Sequence, residues 1–152
     1  MIKVGDVLQT KGKKVWSIHP EATAYKALEI MADKDIGALL VIEKGQVVGI
    51  FSERDYARKV ILKGKSSRET SVGELMTREI YSITQDKSVE ECMALMTAIR
   101  CRHIPVYENH KLVGIVSISD IVNAIMIEQK IKIHDLENYI AGGEFVEVED
   151  NP

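Results

Sequence analysis

The sequence predicts an α+β protein built from two β-α-β-β-α repeats. Residues 15–55 align with residues 80–120 without a gap at a constant offset of 65, as in Ser17 against Ser82. In each copy apolar residues recur at helical spacing: Ala24, Ala27, Leu28 and Met31, then Val89, Cys92, Met93 and Met96. That spacing makes one apolar helix face. Each copy also carries two β-branched runs around a short polar turn, ALLVI and VVGIF about EKGQ, HIPVY and LVGIV about ENHK. Such a pattern signals a hairpin.

The elements can be justified in chain order. VWSI and IYSI are short extended pieces, identical at Ser17/Ser82 and Ile18/Ile83. Thr23 and Ser88 are placed to cap the helices that follow, and Ser88 has Glu91 three residues on, the spacing of a capping box. In the second hairpin Pro105 has no amide hydrogen for a ladder, so its nitrogen belongs at an edge or a strand start. A second helix begins at Ser52 in one copy and Ser117 in the other.

The final helix runs on through Ile121, Ile125, Ile131, Leu136 and Ile140, with a stop at Gly142–Gly143. Its apolar stripe either packs back on its own domain or meets a partner. The tail EFVEVEDNP is acidic, and is expected to be frayed or docked at an edge. Upstream, VGDVL (4–8) matches VGELM (72–76) at an offset of 68, the extra residues falling in the QTKGKK loop. The chain therefore divides into a first repeat (1–66), a second repeat (67–130) and a C-terminal extension (131–152), forming one module.

Composition narrows the function classes. A net charge of −3 argues against general nucleic-acid binding, which shows a basic balance or stripe. The N-terminus MIKVGDVLQTKGKK lacks the apolar core of a secretory signal, and no apolar run reaches the ~18 residues that span a bilayer. Cys92 and Cys101 form no CxxC pair, which fits a reduced, cytoplasmic protein. Cys101-x-His103 with Cys92 and His110 lacks the paired spacing of structural zinc, so no metal is expected. Walker A, GxGxxG, GxSxG and HExxH patterns are all missing, and the expectation is a protein that is not an enzyme and needs no catalytic cofactor.

The most informative stretch is a doubled phrase, VGIFSERD (48–55) and VGIVSISD (113–120). Ser52 with Asp55, and Ser117 with Asp120, have capping-box spacing, and the acids suit the positive end of a helix. A second account adds a ligand. Glycine in an apolar strand marks a close approach by another group, and helix N-terminal amides attract anions. A serine hydroxyl there can meet phosphate, and a carboxylate three residues on can accept both hydroxyls of a ribose.

The repeat, the HIPV strand and the doubled VGI-x-S-x-x-D together resemble a tandem cystathionine-β-synthase (CBS) domain pair, or Bateman module, over residues 4–127. ERDYARKVILKGKSS resembles a stand-alone subgroup of bacteria and plant organelles. The resemblance implies two repeats with pseudo-twofold symmetry, whose clefts bind adenosine compounds: AMP, ATP, NAD(H) or S-adenosylmethionine. It also implies a homodimer that forms a flat disk.

Carried over residue by residue, it assigns Ser52, Arg54 and Asp55 to phosphate and ribose in one cleft, with Thr77, Ile80, Tyr81, Cys101, Arg102 and His103 as walls. Ser117, Ser119 and Asp120 would serve the other cleft, against Trp16, Ile36, Gly37 and Ala38. The first repeat has ALLV where the second has HIPV, so one copy lacks the usual proline.

Arg54, Arg58, Lys59, Lys63, Lys65 and Arg68 form a basic island opposed by Glu53, Asp55 and Glu69. It is either a solvated helix face with Asp55–Lys59 pairing or a phosphate-facing surface led by Arg54 and Arg58. Ser119 stands where the first copy has Arg54, so an anionic ligand is expected to bind the first cleft more tightly. Trp16 and Tyr81 are either core aromatics or adenine contacts. His103 is either a strand histidine or a phosphate contact. The expected function is an adenine-nucleotide sensor concerned with energy state, acting on an unidentified regulated protein. The alternative is an interaction or dimerisation module that needs no ligand.

Overall fold

The β-α-β-β-α series occurs twice, and a short helix precedes each occurrence. The computed structural model describes residues 1–141. Helix α1 (Val4–Lys11) is followed by β1 (Ser17–Ile18), α2 (Ala24–Lys34), β2 (Ala38–Glu43), β3 (Gln46–Ser52) and α3 (Glu53–Tyr56). The last of these continues as a π-helical turn, Ala57–Ile61. Helix α4 (Val72–Leu75) then leads to β4 (Ile83–Thr84), α5 (Val89–Ile99), β5 (His103–Glu108), β6 (Lys111–Ser117) and α6 (Ile118–Ile140). The expected stop at Gly142–Gly143 and the tail EFVEVEDNP lie outside the described residues.

Each series makes a three-stranded sheet of order β1-β2-β3 or β4-β5-β6, its first pair parallel and its second antiparallel. The hairpins close as expected through two-residue loops, Lys44–Gly45 at φ 53 and 77 and Asn109–His110 at φ 51 and 64. Positive φ at both loop positions gives the turn whose twist matches the strands. One bulge recurs: Val41 faces Gly49 but Ile42 faces Val47, and Val106 faces Gly114 but Tyr107 faces Leu112. Pro105 lies one residue before the β4 ladder, which begins at Ile83–Val106. At the matching place in the first copy the Leu40 amide donates to the Trp16 carbonyl at 3.4 Å, a bond that proline has no hydrogen to make.

The packed units differ from the repeats written along the chain. One unit is Lys14–Ser82, and the other joins Met1–Lys13 to Ile83 onward. Thus α4, from the start of the second copy, packs with the first copy, and α1 packs on α6 and β6. Their apolar faces explain this docking: Val72, Leu75 and Met76 enter one core, and Val4, Val7 and Leu8 enter the other. The cores are built from matching positions, such as Met31 and Met96, Val41 and Val106, Ile18 and Ile83. Phe51 shares its core with Ala24 and Ala27, whereas the smaller Val116 shares its own with Val89 and Cys92. Bulk lost at one position is regained at others, the pattern that keeps a core filled.

The long helix has two characters. Ile121 is buried and Ile125 packs against the core. Beyond Glu128, Ile131, Leu136 and Ile140 are 55, 57 and 73% exposed, so the stripe does not fold back onto any described residue.

Candidate functional site

The doubled phrase forms two capping boxes. In the first, the Asp55 amide donates to Ser52 Oγ at 3.1 Å, and the Ser52 amide donates to Asp55 Oδ2 at 3.0 Å. In the second, the Asp120 amide reaches Ser117 Oγ at 3.2 Å and the Ser117 amide reaches Asp120 Oδ2 at 2.8 Å. A box of this kind satisfies two amides that the first helical turn leaves without partners. The carbonyls of Gly37 and Arg102 close the same ends, accepting from the Glu53 and Ile118 amides at 3.0 and 2.8 Å.

The glycines of the phrase also have a packing role. A Cβ on Gly49 would lie 2.7 Å from Met76 Cγ, and one on Gly114 would lie 2.7 Å from Leu8 Cδ2. The close approach inferred from the sequence is therefore made by a protein side chain, Met76 just past the end of α4 or Leu8 of α1.

Asp55 is more than a cap. Thr77 is held to β3 by two backbone bonds with Ile50, at 2.8 and 3.0 Å. From there its hydroxyl donates to Asp55 Oδ1 at 3.1 Å. Lys59 Nζ lies 3.2 Å from the same oxygen, one helical turn along, and donates to the Leu75 carbonyl at 2.9 Å. Ser52 Oγ donates to Oδ2 at 3.1 Å. Asp55 is 8% exposed, so this is a nearly buried carboxylate with four donors. Four is about its full accepting capacity.

Asp120 is more open. Lys11 Nζ meets its Oδ2 at 2.6 Å and donates to the Ile115 carbonyl at 3.0 Å. Ser117 Oγ pairs with Ser119 Oγ at 3.0 Å. Burial pushes the Asp120 carboxyl upward, but the bonds from Lys11 and Ser117 outweigh it and hold the group below its ordinary value of 3.8. Lys11 was absent from the residues expected at the site: it is 109 positions away, and no local pattern joins it to the phrase.

The other expected residues fall within the units as follows. Ser52, Arg54, Asp55, Arg58, Thr77, Ile80 and Tyr81 belong to the Lys14–Ser82 unit, as do Trp16, Ile36, Gly37 and Ala38. Cys101, Arg102, His103, Ser117, Ser119 and Asp120 belong to the other. Backbone pairing sets Ala38 beside Ser52 and His103 beside Ser117. Cys101 Sγ donates to the His103 carbonyl at 2.9 Å.

Trp16 is half-buried, with the ammoniums of Lys14 and Lys34 at 4.5 and 4.4 Å from its ring centroid. Tyr81 is 44% exposed. Arg54 is half-buried and Arg58 exposed. Within the island Lys59 pairs with Asp55, Lys65 pairs with Glu74 and Arg68 lies over the Tyr25 ring. Among the described residues no group of three or more His, Cys, Asp or Glu could hold a metal ion.

Two capping boxes at matching strand ends, each with an ammonium on its acid, define a tandem-repeat module, and the chain belongs to the CBS domain family. The family model matches twice, at residues 4–61 and 72–127. Among its relatives is the mitochondrial CBS domain-containing protein CBSX3 of Arabidopsis thaliana, 39% identical over 92% of this chain and 72% of that one. A solved structure of a protein with CBS domains from Burkholderia ambifaria is 41% identical, with a TM-score of 0.80 over 84% of this chain and 96% of that one. The CBS domain pair of protein MJ0100, solved with 5′-methylthioadenosine and S-adenosyl-L-methionine, is 25% identical at a TM-score of 0.74, over 84% of this chain and 98% of that one.

Proposed function

We propose that the protein is a regulatory module that binds an adenosine compound (AMP, ATP or NAD(H)) and passes the ligand state to a partner protein as a homodimer. The observation that carries this reading is the constellation on Asp55: Thr77, Lys59 and Ser52 converge on one nearly buried acid. The adenosine ligands of the MJ0100 pair support the same ligand class. In this reading Asp55 and Asp120 take ribose hydroxyls. Ser52, Arg54 and Arg58, or Ser117 and Ser119, face phosphate. No chemical step is assigned. A ligand that prefers one conformation shifts the population toward it, and a partner surface reads the result. Free Cys92 and Cys101 are in keeping with a reducing compartment, the cytoplasm in this reading.

Calorimetry with AMP, ATP, NAD(H) and S-adenosylmethionine tests the proposal. Binding of at least one is expected, and no heat with any of them at millimolar concentration would end it. Arg54 stands where the other copy has Ser119, so Asp55→Ala is expected to weaken AMP binding more than Asp120→Ala does. Equal losses would dispose of that asymmetry.

The exposed apolar face of α6 favours a second reading, an interaction module that works without ligand. A stable assembly that forms identically with and without nucleotide would support it.

A further inference from the structure

Two lysines that the duplication does not align end on the same acid of the repeated phrase. At the offset of 65 Lys59 answers Ala124, and at the offset of 68 Lys11 answers Glu79. Neither ammonium therefore has a counterpart at the equivalent position of the other copy. One comes from the π-helical turn after α3 and the other from α1. Both do the same two things: each pairs with the carboxylate and donates to a main-chain carbonyl, that of Leu75 or Ile115.

We propose that these ammoniums gate the two carboxylates and make them select phosphorylated over unphosphorylated adenosine compounds. The proposal rests on the adenosine-ligand reading. At Asp55 the four donors leave no room for a ribose diol unless one departs. The two Ser52 donors belong to the helix cap, and Thr77 is anchored through its backbone to Ile50. Lys59 is the mobile donor, with a long flexible stem and a side chain 40% exposed.

A neutral nucleoside that displaces it separates a charge pair and supplies no replacement anion. A nucleotide supplies a phosphate, and the ammonium exchanges one charge-assisted bond for another. Lys11, on a less buried acid, does the same for Asp120 with less at stake.

The test is titration of the full chain with AMP and with adenosine by calorimetry. Wild type is expected to prefer AMP by about tenfold, the scale of one charge-assisted bond. Lys59→Met should cut that preference below about threefold, chiefly by tightening adenosine through the vacated oxygen. Lys59→Arg should preserve the preference. Thermal melts establish that each variant is folded.

Unchanged or weaker adenosine binding by Lys59→Met, with the AMP preference intact, would overturn the gate. Equal binding of AMP and adenosine by wild type would overturn it too, while leaving the adenosine-ligand reading standing. Failure of wild type to bind either AMP or adenosine would overturn the gate, and failure with ATP, NAD(H) and S-adenosylmethionine as well would overturn the adenosine-ligand reading.

Discussion

Asp55 and Asp120 occupy the same place in the repeat yet differ in what surrounds them. Asp55 has its accepting capacity filled by donors on both oxygens, whereas Asp120 takes the Ser117 amide and the Lys11 ammonium on the one oxygen Oδ2. The pH response of Asp120 follows from its depressed value. An acid that titrates lower in the folded chain than in the unfolded one contributes stability above its unfolded value of 3.8. The contribution is lost as pH falls through the lower folded value. Asp120→Asn should therefore reduce stability at neutral pH and flatten the fall below about pH 4, read from urea midpoints across pH. Parallel acid limbs in the two proteins would contradict it. The capping serines and acids were legible in the sequence because every partner lies three residues away. Lys11 and Thr77 were not: Thr77 was named only through the family pattern, and its bond to Asp55 depends on the Ile50–Thr77 pairing.

At the level of elements, the short helices α1 and α4 change what the doubled phrase means. Each lays a side chain over a glycine of its strand, so Gly49 and Gly114 hold the place for Met76 and Leu8. Gly49→Ala should destabilise the protein by about 1–3 kcal/mol, the usual cost of overpacking a filled core. Combining it with Met76→Ala should cost less than the sum of the single changes, because one removes the atoms that the other meets. Strict additivity in thermal melts would show that the two do not touch. The hairpins and α2 and α5 needed no such correction. Their turn and cap signals are local, with Thr23 accepting from the Lys26 amide and Ser88 boxed with Glu91.

For the whole molecule, the open question in the sequence was the destination of the α6 stripe. The structure divides it after Ile125: Ile121 and Ile125 serve the core, and Met126, Ile133, Leu136 and Ile140 stay exposed. With Gln129 these exposed positions follow an alternating spacing of three and four, the seam of a helix that pairs with another. Removing residues 130–152 is expected to shift the protein toward monomer in light scattering while AMP affinity changes less than about twofold. Loss of nucleotide binding with an unchanged oligomer would reverse the roles given to α6 and to the repeated phrase.

The sequence by itself determined the duplication, the order of elements, the hairpin loops and both capping boxes. All of these rest on residues within one turn or one hairpin of each other, or on a phrase written twice. Tertiary structure alone decided that α1 packs with the second copy and α4 with the first, that a side chain fills the space over each glycine, and that Lys11 reaches an acid 109 positions away. Those outcomes depend on apolar faces finding cores of the right volume, and many residues of similar size meet that need without a local pattern. The phrase VGI-x-S-x-x-D therefore announced where a site stands, and only the fold showed which lysine stands on it.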